Sequence, residues 1–590
     1  MPEIIIDGRK IEAKQGETII QAAYRNGLQI PHFCWHPELS VSGNCRMCLV
    51  ETGFLKKLPD GTFEHDTDGN PVVNYFPKLQ IACATVASDG MYVRTVSQTV
   101  VDAQESVMEF ILINHPLDCP ICDEAGECKL QDYAFNYSKG ESRFVEEKNH
   151  KDKRVEWGPN VMYDAERCIS CSRCIRYAKE HAGQDILSFV NRGDKVTIKV
   201  ANEKVFDNPY SMNVIEICPV GALTSKDFRF KSRVWDMSFN KSICTGCARG
   251  CNIEIGVRNN EILRLEPATN LYVNRYWMCD YGRNTQYQFV NGNRITEPLA
   301  KTVGELKETS FDNAYAKIAD ALKKYNPGNI MFIGSARATT EDNFILAKLA
   351  KQVVKTENID CFKYENPDFG DDYLRVSDKT PNYAGAAEAG VKPGINGVNV
   401  SGLVAKINSG QIKMLYVLDD DLSQNDELLS VLNKLDYLVV HSSNYNKITE
   451  LADIVLPSAT YAESEGTFVN FKGRVQHFTP AIVTSENLRF MGMKMSRLDK
   501  FGSFNDRWAN HETRNCRQSW RMLQSIVNLL GAGWKYLKSS DVFNEIAASN
   551  PKFKGMDYAK LDEYQGLTLG NADKPDPKLV NYVSHYLKPE

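Results

Sequence analysis

Apolar and polar positions change rhythm along this chain, and each rhythm predicts a different kind of element. At the start, EIIIDG and RKIEAK are short strand-like runs meeting at Asp7-Gly8, which predicts a hairpin whose first strand is Glu3 to Ile6. GETIIQAAYRNGL then places Ile19, Ile20, Ala23 and Leu28 near helical spacing. Val100 to Asn114 reads as one helix, stopped before Pro116. Residues 140–160 are polar and charged and read as a linker. From about residue 295 the pattern becomes NIMFIG, IKMLYVL, LDYLVVH and ADIVLP, short apolar strands separated by helical stretches. One of these stretches, TTEDNFILAKLAKQVVK, reads as an amphipathic helix capped by Thr339 or Thr340. That alternation predicts an α/β domain with parallel strands. Residues 54–77, with turns at Asp60-Gly61 and Gly69-Asn70-Pro71, read as an inserted hairpin or a docking loop. The last 60 or so residues read as a partly extended tail that needs a neighbour for order.

Composition narrows the function classes. The chain has 590 residues, 43% hydrophobic and 25% charged, enough for several cores at roughly 100–200 residues per domain. A net charge of −5 argues against one large nucleic-acid surface. No run of 18 apolar residues predicts a membrane-spanning helix, and MPEIIIDGRK lacks the pattern of a signal peptide.

Cysteine carries the chemistry. Of 17 cysteines, only Cys361 and Cys516 follow residue 280. Without an export signal, clustered cysteines point to metal rather than disulfides. Cys34, Cys45, Cys48 and Cys83 have gaps of 10, 2 and 34 residues, a widened plant-type [2Fe–2S] ferredoxin pattern on a β-grasp frame. Four thiolates supply two ligands to each iron. His32 and His36 flank Cys34 and read as surface or supporting groups. A zinc ribbon is the alternative, although only one C-x2-C knuckle is present.

Three further sets follow. His115, Cys119, Cys122 and Cys128 are spaced 3, 2 and 5, and three close cysteines need a fourth donor to hold a [4Fe–4S] cluster. A neutral imidazole there makes the cluster less negative and raises its potential. A capping His115 beside a zinc knuckle is the alternative. Cys168, Cys171 and Cys174, with the distant Cys218-Pro219, form the bacterial ferredoxin signature for one [4Fe–4S] cluster. Cys244, Cys247, Cys251 and Cys279 form C-x2-C-x3-C-x27-C, a [4Fe–4S] or a zinc pattern. The first-half cysteines plus His115 give sixteen donors, four per site, with none left over. No G-x-G-x-x-G segment offers a nucleotide site.

The order of motifs resembles the large iron–sulfur subunits of bacterial respiratory complex I, over roughly residues 1–530. HPLDCPICDEAGEC, CISCSRCIRYA, ICPVGAL and CTGCARGC carry the resemblance. GSARATTEDNFILAKLAK and ADIVLPSATYAESEGTFVNFKGRVQ are similar to the molybdopterin-oxidoreductase fold. The resemblance implies α+β iron–sulfur domains followed by a truncated α/β molybdopterin-oxidoreductase-like domain. The divisions expected are a [2Fe–2S] domain at 1–98, a [4Fe–4S] domain with one histidine and three cysteine ligands at 99–139, and a ferredoxin-like [4Fe–4S] domain at 140–236. A further [4Fe–4S] domain is expected at 237–294 and the α/β domain at 295–590. It also implies an electron relay within a proton-translocating NADH–quinone oxidoreductase, with no independent active site in this chain. One [2Fe–2S] and three [4Fe–4S] clusters are expected, and the His115 set would receive electrons from the flavin subunit. Partners would be the flavin/NADH-binding subunit, a small [2Fe–2S] subunit and quinone-module subunits, at the cytoplasmic face of the inner membrane. The cluster ending at Cys279 would lie off the main path. The metal-ligand position of molybdenum relatives falls near Asn366, with Cys361 five residues early, so no molybdopterin is expected. The competing reading is the catalytic subunit of an NAD-linked molybdenum formate dehydrogenase.

Overall fold

The computed structural model describes residues 1–487, 513–573 and 575–577. The chain divides into two compact units, one ending at Asp236 and the second starting at Met237. In the first, strands Arg9–Glu12, Glu3–Ile6, Met91–Arg94, Leu49–Leu55 and Val73–Tyr75 lie side by side in that order. Glu3–Ile6 runs antiparallel to Arg9–Glu12 and parallel to Met91–Arg94. Ile4 and Ile6 point inward on alternate positions, as a strand requires, and meet Ile19, Ile20, Ala22 and Ala23 from helix Ile19–Arg25. Thr18 and Gln21 close a capping box at that helix start. This is the β-grasp frame. Residues 54–77 form the hairpin: Leu49–Leu55 pairs with Val73–Tyr75, and bridges continue at Lys57–Phe63 and His65–Pro71.

Helices Gln98–Leu112 and Lys129–Tyr137 follow. Residues 155–225 then use small elements: Val161–Tyr163 between Val155–Glu156 and Leu223–Ser225, a hairpin of Leu187–Val190 and Thr197–Val200, and helix Arg173–Glu180.

The second unit opens with a three-stranded antiparallel sheet of Ser238–Ile243, Asn252–Arg258 and Glu261–Pro267. Its main layer is a seven-stranded sheet. Ile359–Cys361, Ile330–Gly334, Met414–Leu418, Tyr437–Ser442 and Ile454–Pro457 run parallel, with Leu299–Thr302 and Glu305–Glu308 antiparallel at one edge. Alternate residues feed two cores on opposite faces, Phe332, Tyr416 and Val439 to one and Met331, Leu415 and Val440 to the other. The four apolar runs read from the sequence are four of these strands.

Two expectations are corrected. Helix Thr340–Lys348, with N-cap Thr339, is buried almost all round rather than amphipathic. Helices Ser519–Leu529 and Ser539–Ser549 pack against it, so even Glu341 and Asp342 lie inside. The C-terminal stretch is not an extended tail where it is described. Val542, Phe543, Ile546 and Phe553 are core residues, and Leu567–Thr568 adds a strand beside Arg474–Phe478. Its last part, residues 578–590, lies outside the described residues.

Candidate iron–sulfur sites

The loops that carry the cysteines are shaped around their sulfur atoms. In the first set, Cys34, Cys48 and Cys83 are buried and Cys45 half-buried. Cys34 shares hydrogen bonds with Cys45 and Cys83, and Cys83 with Cys48, so the four sulfurs converge. Those bonds pull the Cys34 thiol down and push Cys83 up. The Cys34 N–H points at Cys45 Sγ, 3.5 Å away. His32 and His36 are buried rather than on the surface, a correction to that part of the sequence reading. Burial holds both well below the ordinary histidine range, hence neutral. His32 Nδ1 pairs with Ile30 O at 2.8 Å, and His36 Nδ1 accepts the Glu38 N–H at 3.2 Å.

Cys168, Cys171, Cys174 and Cys218 line one cavity with Tyr163, Ile198, Val220, Ala222 and Leu223. Cys174 sits in the first turn of helix Arg173–Glu180, and Ser170 N donates to Cys168 Sγ at 3.4 Å. Burial pushes the Cys171 thiol up to about 11. Three non-glycine residues adopt left-handed backbone inside C-x2-C loops: Arg46 (φ 60°), Ser170 (φ 55°) and Ser172 (φ 65°). Such residues cost about 1 kcal/mol or more each. Binding a cofactor inside such a loop would compensate for that strain.

The His115 set is looser. His115 and Cys122 both lie beside the Arg167–Asp118 ion pair, whose Nη2–Oδ2 distance is 2.7 Å. Burial lowers His115 to about 4, leaving a neutral imidazole at pH 7, and raises Cys122 to about 11. Cys128 is buried at the start of helix Lys129–Tyr137, whereas Cys119 is exposed on the turn Cys119–Ile121. A Cβ at Gly221 would overlap the Cys122 sulfur, so the glycine leaves that thiol its space.

In the second unit, Ile243 and Asn252 are the last pair of a hairpin whose tip carries Cys244, Cys247 and Cys251. Cys279 caps helix Asp280–Thr285 and accepts the Gly282 N–H at 3.4 Å. Cys251 feels the charge of Cys244, Cys247 and Cys279, and burial pushes Cys279 up to about 12. A Cβ at Gly282 would sit 2.9 Å from Cys244 Sγ. The clustered thiols of the Cys34, Cys168 and Cys244 sets, the glycines that keep space beside sulfur and the N–H groups aimed at sulfur fit iron–sulfur clusters; Cys119 of the His115 set stays exposed. Among the described residues, no three His, Cys, Asp or Glu close on a point suited to a single metal ion.

Sequence reading missed the arginines between the sets. Arg176 Nη2 donates to Cys34 O and reaches Cys171 O at 3.5 Å. Arg173 donates to Trp35 O and Ile217 O. The only signal was a basic residue on either side of Cys174, which in a surface helix means nothing.

Known families match the same stretches. Residues 3–98 match the model of the 2Fe-2S iron-sulfur cluster binding domain. Residues 104–143 match the NADH-ubiquinone oxidoreductase-G iron-sulfur binding region, and 158–224 the ferredoxin-like domain of NADH-quinone oxidoreductase subunit 3. Residues 237–292 match the molybdopterin oxidoreductase Fe4S4 domain and 363–489 molybdopterin oxidoreductase. The chain is similar to the G subunits of NADH-quinone oxidoreductase. It is 39% identical to the G subunit of Rickettsia conorii over 354 residues, 60% of this chain and 49% of that protein. Subunit 3 of the Thermus thermophilus NADH-quinone oxidoreductase is 36% identical over 375 residues, covering 61% and 47%. The NADH-ubiquinone oxidoreductase 75 kDa subunit of Reclinomonas americana is 40% identical over 330 residues, covering 56% and 44%. The chain thus spans about half the length of these relatives. Its domains are those the sequence led us to expect: a [2Fe–2S] domain, [4Fe–4S] domains and a partial molybdopterin-oxidoreductase fold.

Proposed function

We propose that this chain is the electron-relay subunit of an NADH–quinone oxidoreductase, working beside a flavin/NADH-binding subunit and quinone-module subunits on a membrane complex. Cys34, Cys45, Cys48 and Cys83 would hold a [2Fe–2S] cluster. His115, Cys119, Cys122 and Cys128 would hold one [4Fe–4S] cluster, Cys168, Cys171, Cys174 and Cys218 a second, and Cys244, Cys247, Cys251 and Cys279 a third. When bound, each cluster takes up and gives back one electron. The chain's residues supply donors, exclude water and fix the spacing between sites.

The observation that carries this reading is the contact between neighbouring sets. Arg176 joins the carbonyls of Cys34 and Cys171. Asn44 Nδ2 donates to Ser170 O at 3.0 Å, tying the same two loops. On the other side, Cys128 Sγ lies 4.0 Å from Pro219 O, and Gly221 abuts Cys122. The loops of the Cys168 quartet therefore touch both the Cys34 quartet and the His115 set. Electrons arriving at the His115 set from the flavin subunit would pass next to the Cys168 quartet. At the His115 end, Leu117 and Ile121 are 89% and 62% exposed beside Cys119, an apolar face for a partner subunit. None of the described helices is long and apolar enough to cross a membrane, consistent with peripheral attachment.

The α/β domain would carry no molybdopterin. At Asn366 the side-chain oxygen accepts the Asp368 N–H, so the position that matches a metal ligand caps a turn instead. Molybdenum and pterin analysis separates this reading from the formate dehydrogenase. The principal test is electron paramagnetic resonance of the full chain under stepped reduction, with iron and acid-labile sulfide assays. One binuclear and three cubane signals are expected; colourless protein without sulfide defeats the proposal. Cys171→Ala or Cys174→Ala should remove one signal and cut NADH–quinone turnover of the assembled complex. His115→Cys should keep its cluster and lower its potential.

A further inference from the structure

Residues 366–380 cover the Cys244 quartet. The N–H of Ala248, next to Cys247, donates to Asp378 O at 2.8 Å, and Arg249 Nε donates to Leu374 O at 2.8 Å. These bonds fasten Lys379 beside the ligand loop. Its Nζ lies 3.3 Å from the centroid of the Phe369 ring and 3.9 Å from that of Tyr281, two residues after Cys279. The two rings meet edge to face at 5.0 Å.

That ammonium is out of place by ordinary rules. Nζ is buried, and no hydrogen-bond acceptor reaches it among the described residues. Lys363 has both Glu365 and Asp378 as partners, so these carboxylates are spent elsewhere. A lysine loses three hydrogen bonds to water on burial, and two aromatic faces return only part of that loss. The nearest groups that could carry negative charge toward it are Cys247, Cys279 and Cys244, and Arg337 acts against them. Free thiols at these positions would be neutral and offer it little. Thiolates on an iron–sulfur cluster would offer a concentrated negative charge and sulfur acceptors.

We infer that Lys379 is the resident counter-ion of the cluster at Cys244, Cys247, Cys251 and Cys279, turning its unused N–H groups to that cluster and raising its reduction potential. Phe369 and Tyr281 are the walls that keep water from the ammonium and hold it in place. Reduction adds one negative charge to a cluster, so a fixed cation nearby stabilises the reduced form. Lys379 is a positioning and tuning residue and is not itself oxidised or reduced. The inference rests on the cluster reading of this quartet.

The test is a redox titration of the full chain, following the signal of this cluster by electron paramagnetic resonance in wild type, K379R, K379Q and K379M. K379M should shift the reduction equilibrium toward the oxidised form by about tenfold, ~59 mV for a one-electron couple. K379Q should fall between K379M and wild type, because it keeps a donor without the charge, and K379R should stay close to wild type. Loss of the cluster in K379M with retention in K379R also supports the counter-ion role. Wild-type potentials in both K379M and K379Q overturn it, as does equal loss of the cluster in K379M and K379R. A wild-type chain with no signal and no sulfide assignable to this quartet would instead defeat the cluster assignment itself.

Discussion

Residues 155–225 and residues 330–457 solve the same problem by different physics. In the second stretch, strands Ile330–Gly334 and Met414–Leu418 are buried along their whole length and stacked in parallel register. Their stability comes from apolar area on both faces of the sheet. In the first stretch the strands are two to four residues long, and the cysteine loops contain left-handed residues. Guanidinium groups inside tie loop to loop: Arg173 is 1% exposed and binds two carbonyls, and Arg167 is 4% exposed and binds Asp118. One region is built around its own side chains, the other around donors arranged for something it must bind. The lesson is that the cluster region should owe far more of its stability to its cofactors than the sheet does.

The largest expected effect is removal of iron. Structural metal sites can contribute about 10 kcal/mol to folding. Anaerobic chelation should open residues 155–225 to proteolysis while fragments containing 330–457 persist. Equal protection of both regions would break the comparison. Because burial pushes the Cys122 and Cys171 thiols up to about 11, these two donors are protonated at pH 7 when their sites are empty. Reloading must then release protons, and its yield should fall as the pH is lowered.

The second effect sharpens the comparison from the other side, since the α/β unit has its own buried charge centre. Burial acts to raise Glu463, but Arg294 at 2.7 Å and Arg514 at 2.8 Å overcome it and hold the carboxyl at about 2. A depressed carboxyl contributes stability that is complete above the unfolded value, about 4.5, and is lost as the pH falls toward 2. Glu463→Gln leaves both guanidiniums without their counter-charge and should cost about 3–5 kcal/mol in denaturant unfolding of the α/β unit. The same variant should flatten the acid limb of its stability curve and leave the [2Fe–2S] signal unchanged.

Next comes Arg176→Ala, which deletes one of the links between the Cys34 and Cys171 loops and leaves the Asn44–Ser170 bond in place. Loss of charge-assisted bonds of this kind costs about 1.5–3 kcal/mol. The magnetic interaction between the binuclear signal and its cubane neighbour should weaken as well. An unchanged spectrum would show that the two loops are held by other contacts. The smallest effect is Thr339→Ala, which removes the hydroxyl that accepts the Asp342 N–H at 3.0 Å. It should lower stability by about 1 kcal/mol, seen as a slightly lower midpoint for the α/β unit alone.

Much of the molecule was legible residue by residue. The opening hairpin, the first helix and four of the five parallel strands follow from local periodicity, because each buries a repeating face. Cysteine spacing offered candidate sets, and the structure brings Cys168, Cys171, Cys174 and Cys218 to one cavity while leaving Cys119 of the His115 set exposed. Helix Thr340–Lys348 was misread because its polar residues looked like a solvent face. Only partners distant in sequence, Trp520 and Thr467 among them, show that Asp342 and Glu341 are consumed inside. The C-terminal stretch was misread because its charged residues hide the few apolar ones, Val542, Phe543 and Ile546, that dock.

The sequence by itself showed that the cysteines cluster in the first half of the chain and which segments alternate as strand and helix. Those properties depend on neighbours a few bonds away. Only the tertiary structure decided that the Cys168 loops touch both the Cys34 and the His115 loops, which arginines join them and that Lys379 Nζ is buried beside the Cys244 loop with no acceptor among the described residues. Such facts depend on residues far apart in the chain arriving at the same few ångströms, and no local pattern encodes that meeting.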